Sequence, residues 1–127
     1  MAQLGGDAAE AVGLAADTVT LVRRAGHVHD LGRIGVSNQV WSKPATLSAA
    51  EFEHMRLHPP YLTTRILSRI DGLEPVAQIA GNHHECINGT GYPRSLPGAA
   101  LGMPDRVLAA TVAYQSALEP RPYRSAL

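Results

Sequence analysis

Apolar residues along this chain recur at steps of three and four, and nowhere alternate at period two. Leu14, Leu21, Val22, Ala25 and Val28 form one such stripe, with Thr18 filling its gap. Tyr61, Leu62, Ile66, Leu67 and Ile70 supply another, and Val76, Ile79 and Ala80 a third. Side chains three and four apart share a helix face, whereas a half-buried strand alternates. The pattern excludes a sheet and sets the class as all-α, an irregular bundle of about five to six helices. At 127 residues the chain has room for one domain with one real core.

Glycine, proline and capping residues divide the pattern. Gly5-Gly6 is expected to break any helix before Asp7, which would cap a short Ala-rich turn, so residues 1–13 read as a weakly ordered N-terminal segment. A helix is predicted over 14–30, ended by Gly32 and Gly35, and 36–47 reads as a loop. Ser48 with Glu51 three residues later is a capping box that opens a helix through about Leu57. Pro59-Pro60 is expected to end it, with a new helix running from there to Ile70. Asp71-Gly72 is a turn, 73–85 a further helix with Pro75 in its first turn, and 88–103 a long irregular loop. A last helix starts at Pro104 or Asp105 and reaches about Ala117, and the Pro- and Arg-rich tail after it reads as partly ordered. The domain is placed over 14–124, with 125–127 as tail.

Eleven basic and eleven acidic residues cancel, which argues against direct nucleic-acid binding and against an anionic membrane surface. A local basic pocket for a small phosphate ester stays open. The one cysteine, Cys86, excludes an intrachain disulfide and points to a reducing compartment. No apolar run approaches the ~20 residues that span a bilayer. Met1 to Leu14 lacks the basic start and apolar core of a signal peptide. A soluble, cytoplasmic chain is expected.

The chemistry gathers at His83-His84-Glu85, just ahead of Asn88-Gly89-Thr90-Gly91-Tyr92-Pro93. Inside a core, two adjacent imidazoles would leave up to four ring nitrogens needing partners. At a helix end they can face other donors. His29-Asp30 and His58 also fall at predicted helix ends. Three helix ends delivering His29, Asp30, His58, His83 and His84 to one place would make an imidazole and carboxylate site. That donor set suits iron, manganese or zinc. His27 lies nearly opposite His29 on its helix and reads as structural or exposed. His54 forms an i, i+4 pair with His58, a spacing that can bind metal, but exposed helix surface explains it better. Glu85 reads as a solvated carboxylate or as a support for the pair, and Cys86 lacks the flanks of a cysteine hydrolase. Arg33 and Lys43 can hold a phosphate, and surface solvation accounts equally well for Lys43. Trp41 reads as a loop anchor and Tyr92 as a surface contact.

His29-Asp30-Leu31-Gly32-Arg33-Ile34-Gly35 resembles the motif His-Asp-x-Gly-Lys-Ile-Gly. Lys43-Pro44 with Leu47, Met55 with His58-Pro59, His83-His84-Glu85, and Asn88-Gly89 with Gly91-Tyr92-Pro93 follow in the same family order, and Arg121-Pro122-Tyr123-Arg124 matches a distal signature. The chain is similar to the HD-GYP domains, a branch of the HD metal-dependent phosphohydrolases. The resemblance implies hydrolysis of cyclic di-GMP by a helical domain carrying a divalent metal, iron or manganese ahead of zinc, at one or two sites. It implies His29, Asp30, His58, His83 and His84 as metal ligands, with Asp30 bridging. It places Arg33, at the family's lysine, near the scissile phosphate. It makes Gly91, Tyr92 and Pro93 a loop for substrate or protein partners. Four departures stand beside it. Counting back from Arg121 puts Val112 where the family has an Asp ligand. No His precedes His27, Asn88 replaces an Asp, and Pro60 resembles a one-residue insertion. The alternative is a catalytically degenerate HD module acting as a nucleotide sensor or regulatory interaction domain.

Overall fold

Among the described residues there are six helices and two 3-10 turns: α1 (Ala2–Ala11), α2 (Ala16–Val28), the turn Leu31–Gly35, α3 (Asn38–Trp41), α4 (Ala49–Leu67), α5 (Glu74–Gly81), the turn Gly98–Ala100 and α6 (Met103–Leu118). The computed structural model describes residues 1–120 and 125–126. Arg121, Pro122, Tyr123 and Arg124, with the distal signature and most of what was expected of the tail, lie outside the described residues. The all-α class holds, with no strand among the described residues. No helix among them is long and apolar enough to cross a membrane.

The break expected at Gly5-Gly6 does not occur, because α1 passes straight through it. Glycine in a helix costs about 1 kcal/mol against alanine. Here the two glycines are buried, Gly5 against Val22 and Leu108 and Gly6 under the Arg23 side chain. A Cβ on Gly6 would collide with the Arg23 side chain, and one on Gly26 would come within 2.8 Å of Ala2 Cα. Ala9, Val19, Val22 and Val107 close a small core beside this contact. Tertiary packing therefore overrides local propensity at residues 2–11. The main core is Ala25 of α2, Leu67 of α4, Val76, Ala77, Ile79 and Ala80 of α5, and Leu108 of α6.

The capping box forms as expected. Ser48 Oγ accepts from Glu51 N at 3.1 Å, and Glu51 Oε2 accepts from Ser48 N at 2.8 Å. Lys43 Nζ donates to the same carboxylate at 2.6 Å and so spends its charge there. Replacing Ser48 with Ala should cost about 1 kcal/mol, seen as a lower urea midpoint at unchanged slope.

Helix α4 differs from expectation in one respect that controls the site: it continues through Pro59 and Pro60. Two prolines remove two helical N–H donors. Packing against the turn Leu31–Gly35 offsets the loss. Both prolines are buried, Thr64 Oγ1 donates back to Pro60 O at 3.1 Å, and Thr63 bonds across to the turn. Gly32 N donates to Thr63 Oγ1 at 2.8 Å, and that hydroxyl donates to His29 O at 3.2 Å. Helix α5 is shorter than the expected 73–85 and stops at Gly81. Residues 82–85 leave the helix because their side chains serve other partners, as described next.

Candidate metal centre

His29 and His83 are held by the same local device. At the end of α2, His29 Nδ1 lies 2.8 Å from Gly26 O. Just past α5, His83 Nδ1 lies 2.6 Å from Ala80 O. A carbonyl only accepts, so each Nδ1 carries the proton and each Nε2 keeps its lone pair. Both helices thereby satisfy one of their orphan end carbonyls and aim an unprotonated nitrogen outward. The rings meet edge to face with centroids 5.0 Å apart, and His84 lies 4.0 Å from His83. Burial, then the neighbouring His84, lowers the His83 imidazole to about 3. Burial lowers His84 to about 4, against the opposing pull of the Asp30 carboxylate. Both rings are neutral at neutral pH, the form that binds metal. Asp30 Oδ2 stands 3.6 Å from His29 Nε2 and 3.2 Å from Arg33 Nη1.

These groups open on one cavity of about 470 Å³, lined also by Trp41, Phe52, Met55, Arg56, Pro59, Pro60, Tyr92 and Val112. The contribution of α4 is a single face: positions 52, 55, 56, 59 and 60 follow helical steps. His58 is not on that face. Its ring stacks on His54, centroids 4.5 Å apart, and it lines a separate hollow with Glu53, Tyr61 and Pro93. The expected convergence of five residues is thus a convergence of four: His29, Asp30, His83 and His84. The cause is the continuity of α4. Without a break at Pro59, His58 is not at a helix end, and the register turns it away. The structure also puts Val112 of α6 on the cavity wall, where the residue count had set the family's carboxylate. Asp105, the carboxylate at the start of α6, is turned elsewhere, bonding Asn82 Nδ2 at 3.1 Å and Gly102 N at 2.9 Å.

The loop after the histidine pair is anchored behind it. Glu85 is not solvated. It is 3% exposed and accepts from Arg94 N at 2.8 Å and Leu96 N at 2.9 Å. Arg94 Nη2 in turn donates to Asn82 Oδ1 at 2.6 Å. Gly91 is buried, and Tyr92 is no loose surface contact. Its ring stacks on His84 at 4.7 Å, with the Arg56 guanidinium 4.9 Å from its other contact face. Burial raises the Tyr92 phenol and keeps it neutral. Trp41, read from sequence as a loop anchor, lies under Arg33 at 4.4 Å. No sequence motif singles out Arg56 as a site residue. Its signal, the stripe 52, 55, 56, 59 and 60, appears only once α4 is allowed to cross the prolines. Cys86 and His27 are exposed and play no part.

The donor chemistry fits a divalent ion: neutral imidazoles with fixed tautomers beside one carboxylate, and no thiolate. The arrangement is incomplete, since no group of three or more His, Cys, Asp or Glu among the described residues could hold an ion as it stands. His58, expected as a ligand, does not line this cavity, and Val112 lines it without a donor atom.

A family model for the HD domain matches residues 1–127. The chain is 38% identical over 112 residues to the 3'3'-cGAMP-specific phosphodiesterase 3 of Vibrio cholerae, covering 88% of this chain and 24% of that protein. It is 35% identical over 124 residues to a cyclic di-GMP phosphodiesterase of Thermotoga maritima, covering 96% and 33%. It is 33% identical over 128 residues to the cyclic di-GMP phosphodiesterase response regulator RpfG of Xanthomonas campestris, covering 99% and 34%. The chain thus spans a quarter to a third of the length of these curated relatives. HD phosphohydrolases are in general divalent-metal-dependent. By this match, its motif order, its helical fold and its paired imidazoles, the chain belongs to the HD-domain family, in its HD-GYP branch.

Proposed function

We propose that this chain is a phosphodiesterase-type domain that binds a cyclic dinucleotide in the His29–His84 cavity. One observation carries the reading: His29 and His83, at the ends of different helices, each tie Nδ1 to a helix-end carbonyl, which leaves Nε2 unprotonated on a cavity that Asp30 also lines. His29, Asp30, His83 and His84 would hold a divalent metal, iron or manganese ahead of zinc. When bound, such an ion acidifies water and offsets charge on the phosphoryl oxygens. Arg33, steered by Trp41 and Asp30, would hold a phosphate oxygen at the rim. Its pKa is too high to relay a proton, so it orients and neutralises only. The reading carries with it a cytoplasmic location, where the free thiol of Cys86 stays reduced, and a signalling role. Gly91, Tyr92 and Pro93 would act as a wall of the substrate site in this reading, ahead of any role with protein partners.

A specific observation favours a second reading, that of a binding domain with little or no turnover. Val112 offers the cavity a methyl surface where a carboxylate would complete the ligand set. Metal analysis and cyclic di-GMP turnover under anaerobic iron or manganese separate the two. The proposal expects about one ion per chain, lost when His83 and His84 are replaced by Ala, and cyclic di-GMP binding that follows the metal. Val112→Asp should tighten metal binding roughly ten-fold or more and raise turnover if the missing carboxylate is what limits it. Wild-type protein that retains no metal, together with a double variant that binds cyclic di-GMP as well as wild type, would sink the proposal.

A further inference from the structure

Among the described residues two guanidiniums line the cavity, and each stands over an aromatic ring: Arg33 over Trp41 and Arg56 over Tyr92. Arg33 is accounted for by its pair with Asp30. Arg56 is not accounted for by anything the fold needs. Its contact with Glu53 is 3.6 Å long, within one helix surface, between side chains 39% and 52% exposed. Such pairs contribute little. Its Nε is buried with no hydrogen-bond partner among the described residues, and an unpaired buried N–H is costly. The other atom in that state, Arg23 Nε, belongs to a guanidinium already anchored on Asp7 at 3.2 Å, in the crossing of α1 and α2. Arg56 faces the cavity instead. It is also held there, because Tyr92 is stacked between it and His84. The position of the cation is therefore coupled to the position of the imidazoles.

Resting on the proposed function, we infer that Arg56 is a second anion clamp that takes the phosphodiester of a cyclic dinucleotide not engaged at His29, Asp30 and Arg33. A cyclic dinucleotide carries two phosphodiesters in one ring, so anchoring one presents the other at a fixed distance. A guanidinium meets a phosphate with two parallel N–H donors, and Arg56 lines the cavity with no strong partner that would occupy its fork. Arg56 then selects cyclic dinucleotides over ligands with a single phosphodiester. Tyr92 acts as a positioning residue for it.

The test compares cyclic di-GMP with linear GpG, which keeps both guanines and one phosphodiester. Calorimetric titration of the metal-loaded chain gives the ratio of the two dissociation constants for wild type, Arg56→Gln and Arg56→Lys. The preference for the cyclic ligand should fall about ten-fold or more in Arg56→Gln. Arg56→Lys should keep part of it, restoring charge without the fork. Binding of GpG by the variant serves as its own folding control. A ratio unchanged in Arg56→Gln, whether both ligands weaken together or neither does, overturns the inference and leaves the proposed function standing. Wild-type protein that binds neither ligand overturns both.

Discussion

Alanine at position 32 should destabilise the fold by about 3 kcal/mol or more, a loss typical of steric conflict with backbone that cannot move. Gly32 sits in the turn Leu31–Gly35, pressed on α4 where the two prolines are. An added Cβ would collide with Pro59 O and come within 2.7 Å of Thr63 N. Neither atom belongs to a flexible side chain, so the whole turn must lift. Lifting it strains the bond from Gly32 N to Thr63 Oγ1 and the bond from that hydroxyl to His29 O. It also carries away Asp30, which precedes the turn, and Arg33, which lies within it. The melting temperature should fall by roughly 10 °C, and the cavity should lose ligand affinity in the fraction that remains folded. Gly102→Ala is the control, since its Cβ would meet nothing closer than 3.4 Å. A Gly32→Ala chain that melts with wild type would mean that the turn does not bear on α4 as closely as described.

The metal-free chain should lose stability as pH falls from about 6.5 toward 4. In the fold His83 titrates near 3 and His84 near 4, whereas both start from 6.5 when unburied. The unfolded chain therefore takes up protons that the folded chain refuses, and mass action favours unfolding throughout that window. Above 6.5 both states are neutral and the effect vanishes. One pH unit of differential protonation is worth about 1.4 kcal/mol per group. At pH 5 the pair should thus cost of order 2 to 4 kcal/mol relative to pH 7. Urea unfolding in a chelator at the two pH values measures this directly. Replacing both rings by Asn should flatten most of the slope. Equal midpoints at pH 5 and 7 would show that the two imidazoles are not held out of water.

Helical class and most element positions were legible because they depend on neighbours a few residues apart. The stripes of α2 and α5, the Ser48 capping box and the Asp71-Gly72 turn all formed where their spacing set them, Gly72 at φ 83°. Where residues 2–11 and α4 departed, the reason was contact at long sequence distance. Gly5 and Gly6 break helices in isolation, yet here both are buried in the contact of α1 with α2 and α6, and that packing holds the helix. Pro59 and Pro60 end helices in isolation, yet here the turn Leu31–Gly35 holds the helix around them.

The site divides along the same line. By itself the sequence placed His29 and His83 at predicted helix ends, and the bond that orients each ring reaches only three residues back, to Gly26 and Ala80. Local hydrogen bonds need no tertiary fold to be foreseen. Only the tertiary structure decided which face of α4 looks into the cavity. That register brought Arg56 in and turned His58 out, and it follows from whether a proline pair is packed or exposed. Only the tertiary structure, too, brought Arg56 over the Tyr92 ring, since that contact joins a helix and a loop that the chain itself leaves far apart.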